Sequence, residues 1–348
     1  MNTELINLYD KKDYLKVLRD FDAQLSAAEK NVTDYYPELT RFRTGLKEIQ
    51  QIVICGMGGS AIAGDFVKHI FSDKLTVPVM VNRDYELPAF VGESTLVILS
   101  SYSGNTEETI SAFQSAIVKK AKTIAVSTGG EIAAMAKEQG IPHLSVPSGY
   151  QPRQAIGFSL VTLFRILEHL FFETHDPEII NKAIEWVADK KKVWLSEKNN
   201  ELWNLANRLC KKPVIVYASD KCFPAALRFK GQVCENAKLL AFAYAVPEMN
   251  HNEIVGWDSV SKDEGFPVVI FRDETDHPQI QKRFEILNSI LSSKTDVIEF
   301  HGEGADLFIK LLSMIYWGDI VSYFIAIHRK TDPTPVDIIT HFKNELSK

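Results

Sequence analysis

The stretch Gln51–Asp65, QIVICGMGGSAIAGD, decides how the rest of this 348-residue chain is read. Gln51–Cys55 is a short β-prone run. Gly56-Met57-Gly58-Gly59-Ser60-Ala61 follows, and then a helix to about Phe71. Glycines in such a turn let the backbone approach an anion closely. The helix start behind them offers unpaired N–H groups and a positive dipole end. The loop also satisfies GxGxxA, the dinucleotide fingerprint, so a nicotinamide or flavin enzyme must be weighed. A tight strand-to-helix turn with no ligand would read the same way.

Outward from this loop, strands alternate with helices. Strands are expected over 77–81, 94–100, 123–127 and 143–146, with helices over 107–121, 131–139 and 154–172. A helix rich in Lys and Glu spans 177–210. The alternation then restarts with strands at 213–219, 266–271 and 297–300 and helices at 224–239, 277–293, 305–330 and 335–346. Residues 4–30 read as one amphipathic helix. Short strands separated by helices argue for parallel sheets covered on both faces. The expected fold class is α/β, built from two similar domains.

A second loop bears on the chemistry. Ser100-Ser101-Tyr102-Ser103-Gly104-Asn105-Thr106 leaves a strand and enters a helix beginning Glu107-Glu108. Thr106 is an N-cap candidate, with Ser103 or Asn105 as alternatives. One hydroxyl suffices for a cap, and this loop has more. Together with the helix start they would surround a phosphate with neutral donors. A dinucleotide would want an acidic ribose partner after the second strand, which Asp84 or Glu86 could supply.

Composition excludes other classes. Apolar residues make up 45% and charged ones 24%, which excludes wholesale disorder. Lys and Arg number 39 against 45 Asp and Glu, a net charge of −6, so nothing marks a nucleic-acid or anionic-membrane binder. Ala155–Phe172 and Leu311–Ile327 are the most apolar stretches. The first contains Arg165, Glu168 and His169 and the second Asp319, which favours buried helices over membrane spans. Cys55, Cys210, Cys222 and Cys234 form no CxxC pair and, with the nine histidines, no zinc pattern. Reduced thiols and the absence of a secretory leader pattern lead us to expect a cytoplasmic enzyme.

GMGGSAIAGD (56–65) and SSYSGNTEET (100–109) together resemble the sugar isomerase (SIS) domain, a phosphosugar-binding module. GYQPRQAIG (149–157), FKGQVCENAK (229–238), PEMNHNEIVGW (247–257) and RKTDPTPVDII (329–339) narrow the resemblance to the bifunctional phosphoglucose/phosphomannose isomerases. It covers the chain from about residue 40 onward. It implies two SIS (flavodoxin-like) domains, expected at 36–175 and 176–348, with residues 1–35 as a helical extension. It also implies an aldose–ketose isomerase of carbohydrate metabolism, in glycolysis and gluconeogenesis, acting on hexose 6-phosphates with no metal and no cofactor.

The resemblance further implies roles for single residues. Glu235 corresponds to the base that moves a proton between C2 and C1, and His251 to the ring-opening histidine, supplied across a homodimer interface. Lys330 corresponds to the lysine that contacts the ring oxygen. Arg153 corresponds to the arginine that stabilises the enediolate, and Pro152 is expected to hold it open in a cleft. Gly58, Gly59, Ser60, Ser101, Ser103 and Thr106 would bind the phosphate. Gly231 and Gln232 precede Glu235 by four and three residues, and the glycine would let a sugar approach. Two other readings remain open: an SIS isomerase of another phosphosugar, and a non-catalytic phosphosugar-sensing module. A sensor would need the hydroxyl loop but not Glu235, His251 and Lys330 together.

Overall fold

The computed structural model describes residues 1–46, 48–173, 176–198, 200–262 and 264–346. The chain divides into two compact units, one of residues 21–185 and the other of residues 1–20 with 186–348. Residues 1–35 are therefore shared between the units and do not form a separate extension. The single helix expected over 4–30 is three: α1 (Thr3–Tyr9), α2 (Tyr14–Arg19) and α3 (Phe21–Thr33). The break has a local cause. The Asp10 carboxylate accepts from the backbone N–H groups of Tyr14 and Leu15 at 2.7 and 2.9 Å, and Asp13 adopts a left-handed conformation with φ 52°.

In the unit of residues 21–185, α3 is followed by α4 (Tyr36–Arg43), β1 (Gln51–Cys55), α5 (Gly58–Ile70), β2 (Val79–Asn82) and β3 (Thr95–Ser100). Next come α6 (Glu107–Val118), β4 (Lys122–Ser127), α7 (Gly130–Gln139), β5 (His143–Ser145), a 3-10 turn (Pro152–Ala155) and α8 (Ile156–Phe171). The sheet is parallel throughout, in the order β2-β1-β3-β4-β5. All six residues of β3 are buried, as expected of a central strand covered on both faces. Val53, Leu99, Phe113 and Ile132 lie in the core on one side. Helix α3 is held to the start of α8 by Gln24, which donates to the Gln154 carbonyl at 2.9 Å and accepts from Gly157 N–H at 2.7 Å.

The division between units falls within α9 (Ile179–Trp194), after which α10 runs Glu201–Leu209. The helix expected over 177–210 is thus two, separated where Asn200 donates to the carbonyls of Trp194 and Ser196 and caps α10 by accepting from Trp203 N–H. The remaining elements are β6 (Val214–Ser219), α11 (Phe223–Ala237), β7 (Ala241–Val246), β8 (Val268–Arg272), α12 (Pro278–Leu291), β9 (Val297–His301), α13 (Leu307–His328) and α14 (Asp337–Leu346). Strand β7 falls where the sequence reading placed none. The second sheet is also parallel, in the order β7-β6-β8-β9.

Helix α13 is the apolar axis of this unit. Every residue from Phe308 to Ile327 is buried, and Trp317 stacks on Phe300 at 4.9 Å between ring centres. Residues 152–171 and 307–328 are long and apolar enough to cross a membrane. Their most apolar windows are 89% and 100% buried inside the protein, the pattern of core helices. The amino-terminal helices close over α13: Tyr316 donates to the Leu18 carbonyl and Tyr323 to the Asp10 carboxylate, each at 2.9 Å.

Candidate functional site

In an open parallel sheet, ligands gather beyond the carboxyl ends of two neighbouring strands whose following connections leave in opposite directions. In the first sheet those strands are β1 and β3, with Cys55 opposite Leu99. The glycine loop and the hydroxyl loop leave from these two ends, so the fold brings the two sequence signals together.

Backbone and hydroxyl contacts fix both loops. Tyr102 N–H donates to Ser60 Oγ at 3.3 Å, which joins one loop to the other. The Ser101 and Thr106 hydroxyls share a hydrogen bond at 2.8 Å. Thr106 does stand at the N-cap of α6, but its side chain makes no cap bond and is spent on Ser101. Ser103 Oγ accepts from Asn105 N–H at 3.2 Å and is exposed. Ser60 and Ser101 are buried. Gly58 is exposed with φ +48°, a conformation that suits glycine.

The loop is clamped by a turn that the sequence reading did not single out. Gly104 has φ +69°, and a Cβ there would lie 1.8 Å from the carbonyl oxygen of Gly129. Gly104 O accepts from Ile132 N–H and Asn105 Oδ1 from Glu131 N–H, both at 3.0 Å. Ser127 Oγ bonds both the Gly129 carbonyl and N–H and meets His143 Nε2 at 2.8 Å. Burial lowers the His143 pKa and favours the neutral ring. The adjacent Gly129-Gly130 pair, just before the helix expected over 131–139, was the available signal.

Arg153 requires a correction. It is 5% exposed rather than open to solvent. A capping box between Gln151 and Gln154 curls Pro152–Ala155 into the 3-10 turn and turns the arginine inward. That turn lies against the first loop, since a Cβ on Gly59 would meet Pro152 O at 3.0 Å and Arg153 Cα at 3.6 Å. The structure therefore places Arg153 beside the glycine loop.

The second unit carries the other candidates. Glu235 is half-buried on the last turn of α11. One turn earlier Gly231 faces open space, with nothing within 4 Å of a built Cβ. Gln232 does not share that open face. It is buried and donates to Asp319 at 3.1 Å, in a network where Arg228 grips Asp319 at 2.7 and 3.0 Å. Arg329 ties the ends of α11 and α13 by donating to the Ala237 carbonyl at 3.0 Å. Lys330 follows in a left-handed conformation, φ 58°, with its side chain exposed. Glu235 and Lys330 thus stand at the joined carboxyl ends of two packed helices.

His251 closes the 3-10 turn Glu248–His251 beyond β7 and is exposed. Among the described residues its imidazole makes no hydrogen bond, whereas its neighbours are held. Asn250 accepts from Arg283 at 3.4 Å and Asn252 donates to Glu248 at 3.0 Å. Glu253 accepts from Tyr217 Oη, which itself accepts from Trp257 Nε1 at 3.0 Å. Burial raises the Glu253 pKa, against the opposing effect of the Tyr217 bond.

Two parallel sheets flanked by helices, the first carrying a glycine loop and a hydroxyl-rich loop at its switch point, are the architecture of a double SIS-domain protein. Residues 45–143 match the SIS domain family, and 198–346 match the family described as bacterial phospho-glucose isomerase C-terminal SIS domain. The chain is 39% identical to a bifunctional phosphoglucose/phosphomannose isomerase of Caldicellulosiruptor bescii, across 87% of this chain and 91% of that one. It belongs to the bifunctional phosphoglucose/phosphomannose isomerase family. It is also 36% identical to a D-glucosamine-6-phosphate 4-epimerase of Sulfolobus acidocaldarius, over 70% of this chain and 75% of that one. In fold it is similar to the tagatose-6-phosphate ketose/aldose isomerase of Escherichia coli, with a TM-score of 0.73 at 16% identity over 91% and 93% of the two chains.

Proposed function

We propose that the chain interconverts glucose 6-phosphate, and mannose 6-phosphate, with fructose 6-phosphate. The observation that carries the reading is Glu235, a half-buried carboxylate on an α11 turn opened by Gly231, at the end of α11 that Arg329 ties to the end of α13 presenting Lys330. Ser60, Ser101, Ser103 and Thr106, with the N–H groups of Gly58 and Gly59, hold the phosphate. His251 and Lys330 open the ring by moving a proton from the O1 hydroxyl to the ring oxygen, which frees the C1 aldehyde. Glu235 then takes the C2 proton. The C–H electron pair forms a C1–C2 double bond and the carbonyl oxygen gains the charge, which Arg153 stabilises.

Return of the proton from Glu235 to C1, with transfer of the O2 proton to the charged O1, gives the ketose. Return to C2 after rotation about C2–C3 gives the epimeric aldose. The exposed, unbonded imidazole supports a further reading, in which His251 serves the active site of a second copy in a homodimer. Phe242, Tyr244 and Val255 are exposed on the same β7 and following turn, as a homodimer contact would use them.

The test is a coupled assay from fructose 6-phosphate that reads glucose and mannose 6-phosphates separately, repeated on Glu235→Gln. Wild type should form both aldose phosphates, and the variant should fold and lose activity by about 10²- to 10⁴-fold. A folded variant with near-full activity would refute the base assignment. The epimerase relative recommends a parallel assay with glucosamine 6-phosphate, where turnover exceeding that of fructose 6-phosphate would displace the isomerase reading.

A further inference from the structure

The sheet order β7-β6-β8-β9 repeats β2-β1-β3-β4 strand for strand, so the second unit has a switch point of its own, between β6 and β8. The residues leaving those strands are Ser219-Asp220-Lys221-Cys222 and Asp273-Glu274-Thr275-Asp276. They occupy the places held in the first unit by the glycine and hydroxyl loops, and a carboxylate lies at their centre.

Asp273 is fully buried, and its two oxygens collect four donors. Oδ2 accepts from Lys221 Nζ at 2.9 Å and from Thr275 Oγ1 at 2.8 Å. Oδ1 accepts from Lys310 Nζ at 3.1 Å and from Thr275 N–H at 3.0 Å. Lys310 comes from the first turn of α13 and is only 4% exposed. Two ammonium groups, a hydroxyl and a backbone N–H converging on one point form an oxyanion cage. Lys310 is buried and also pairs with the exposed Glu274 at 2.9 Å, while the partly exposed Lys221 also meets Asp276 at 3.4 Å. Asp273 is thus the fully buried counter-charge that the two ammonium groups share.

We propose that the second unit retains an oxyanion site of the same topological origin as the phosphate loop, with the chain's own Asp273 carboxylate as its occupant. Each chain then offers one external phosphate site, and the second becomes available to a small oxyanion only when the Asp273 side chain is shortened. The inference rests on the repeated topology and the cage, not on the isomerase assignment.

Asp273→Ala deletes the carboxylate and leaves the cage. Its thermal midpoint should fall below wild type in chloride and rise saturably, by about 5 °C or more, with added sodium formate at constant ionic strength. Formate replaces the missing group nearly atom for atom, and inorganic phosphate tests a larger anion in a second titration. Wild type should respond to formate no more than to chloride, and Asp273→Ala/Lys310→Met should lose the formate response. Asp273→Ser carries the same test if Asp273→Ala does not fold.

Parallel formate curves for variant and wild type would overturn the proposal. So would an undiminished response without Lys310, or failure of both single variants to fold at any formate concentration. The readout is stability, so a wild type that isomerises hexose phosphates beside an Asp273→Ala insensitive to formate would refute this inference alone.

Discussion

The Lys238 ammonium donates to the carbonyl of Asp332 at 2.8 Å and to the carbonyl of Glu235 at 2.9 Å. One side chain thereby fastens the last turn of α11 to the segment just beyond Lys330. Lys238 is exposed and holds a left-handed conformation at φ 50°, so ordinary core packing does not account for its position. If Glu235 and Lys330 act on one sugar, this tie sets their spacing. Lys238→Met should lower kcat by about 10- to 100-fold while the thermal midpoint moves only a few degrees. Lys238→Arg, which keeps a cation there, should recover most of the rate. Equal losses in both variants, or a loss confined to stability, would remove Lys238 from the positioning of the site.

The clamp between Gly104 and Gly129 gives a sharper steric test. Gly104→Ala would set a methyl 1.8 Å from a carbonyl oxygen at a backbone angle alanine seldom adopts, so the hydroxyl loop must move. KM for fructose 6-phosphate should rise at least tenfold, with a stability loss of about 1–3 kcal/mol. Gly140→Ala is the control. Its φ is also positive, at 64°, but its Cβ would meet nothing within 4 Å. It should cost about 1 kcal/mol and leave KM unchanged. Equal KM values in the two variants would show that the clamp does not shape the hydroxyl loop for substrate.

Asp273 also makes stability depend on acid. Its carboxyl is brought down to about 2 from 3.8: burial pushes it upward, and the bonds from Thr275, Lys221 and Lys310 outweigh that. The native state therefore binds fewer protons here than the unfolded chain between those values. The Asp273 contribution is complete above about pH 4 and is lost as pH falls toward 2. Asp273→Asn should lower the midpoint at neutral pH and flatten the fall in stability between pH 4 and 2, measured by urea unfolding. A variant curve parallel to wild type across that window would contradict the linkage.

How much of this was legible depends on whether the deciding contacts are local. Gly56–Ala61 and Ser101–Thr106 announce themselves because a tight turn and a hydroxyl cluster are written in consecutive residues. Strand β7 hides because AFAYAV places alanines where β-branched residues would mark a strand, while Phe242 and Tyr244 face outward. The break before Asn200 and the break at Asp10 depend on a side chain turning back onto the backbone, which hydrophobic periodicity does not register. Gly129 matters only because Gly104 leans on it from 25 residues away. The burial of Arg153 follows from a capping box whose sequence, Gln-Pro-Arg-Gln, reads as an exposed loop. The Asp273 cage is the extreme case, since Lys310 reaches it from a helix 37 residues downstream.

The homodimer reading makes a prediction that neither folding nor rate data on one variant can imitate. Glu235→Gln and His251→Ala should each be nearly inactive alone, because each removes a proton-transfer group from every site. If His251 serves the partner's site, a mixed dimer holds one site with both groups intact and one with neither. Random exchange makes half the dimers mixed, so the mixture should recover about a quarter of wild-type activity. If His251 serves its own chain, every site in the mixture lacks one group and nothing is recovered. The measurement is fructose 6-phosphate turnover after the two purified variants are co-refolded, compared with the same variants refolded apart and then combined. Recovery only on co-refolding identifies the exchange of subunits as its cause. A folded mixture that stays inactive, with mixed dimers demonstrated by differently tagged chains, would return His251 to its own subunit.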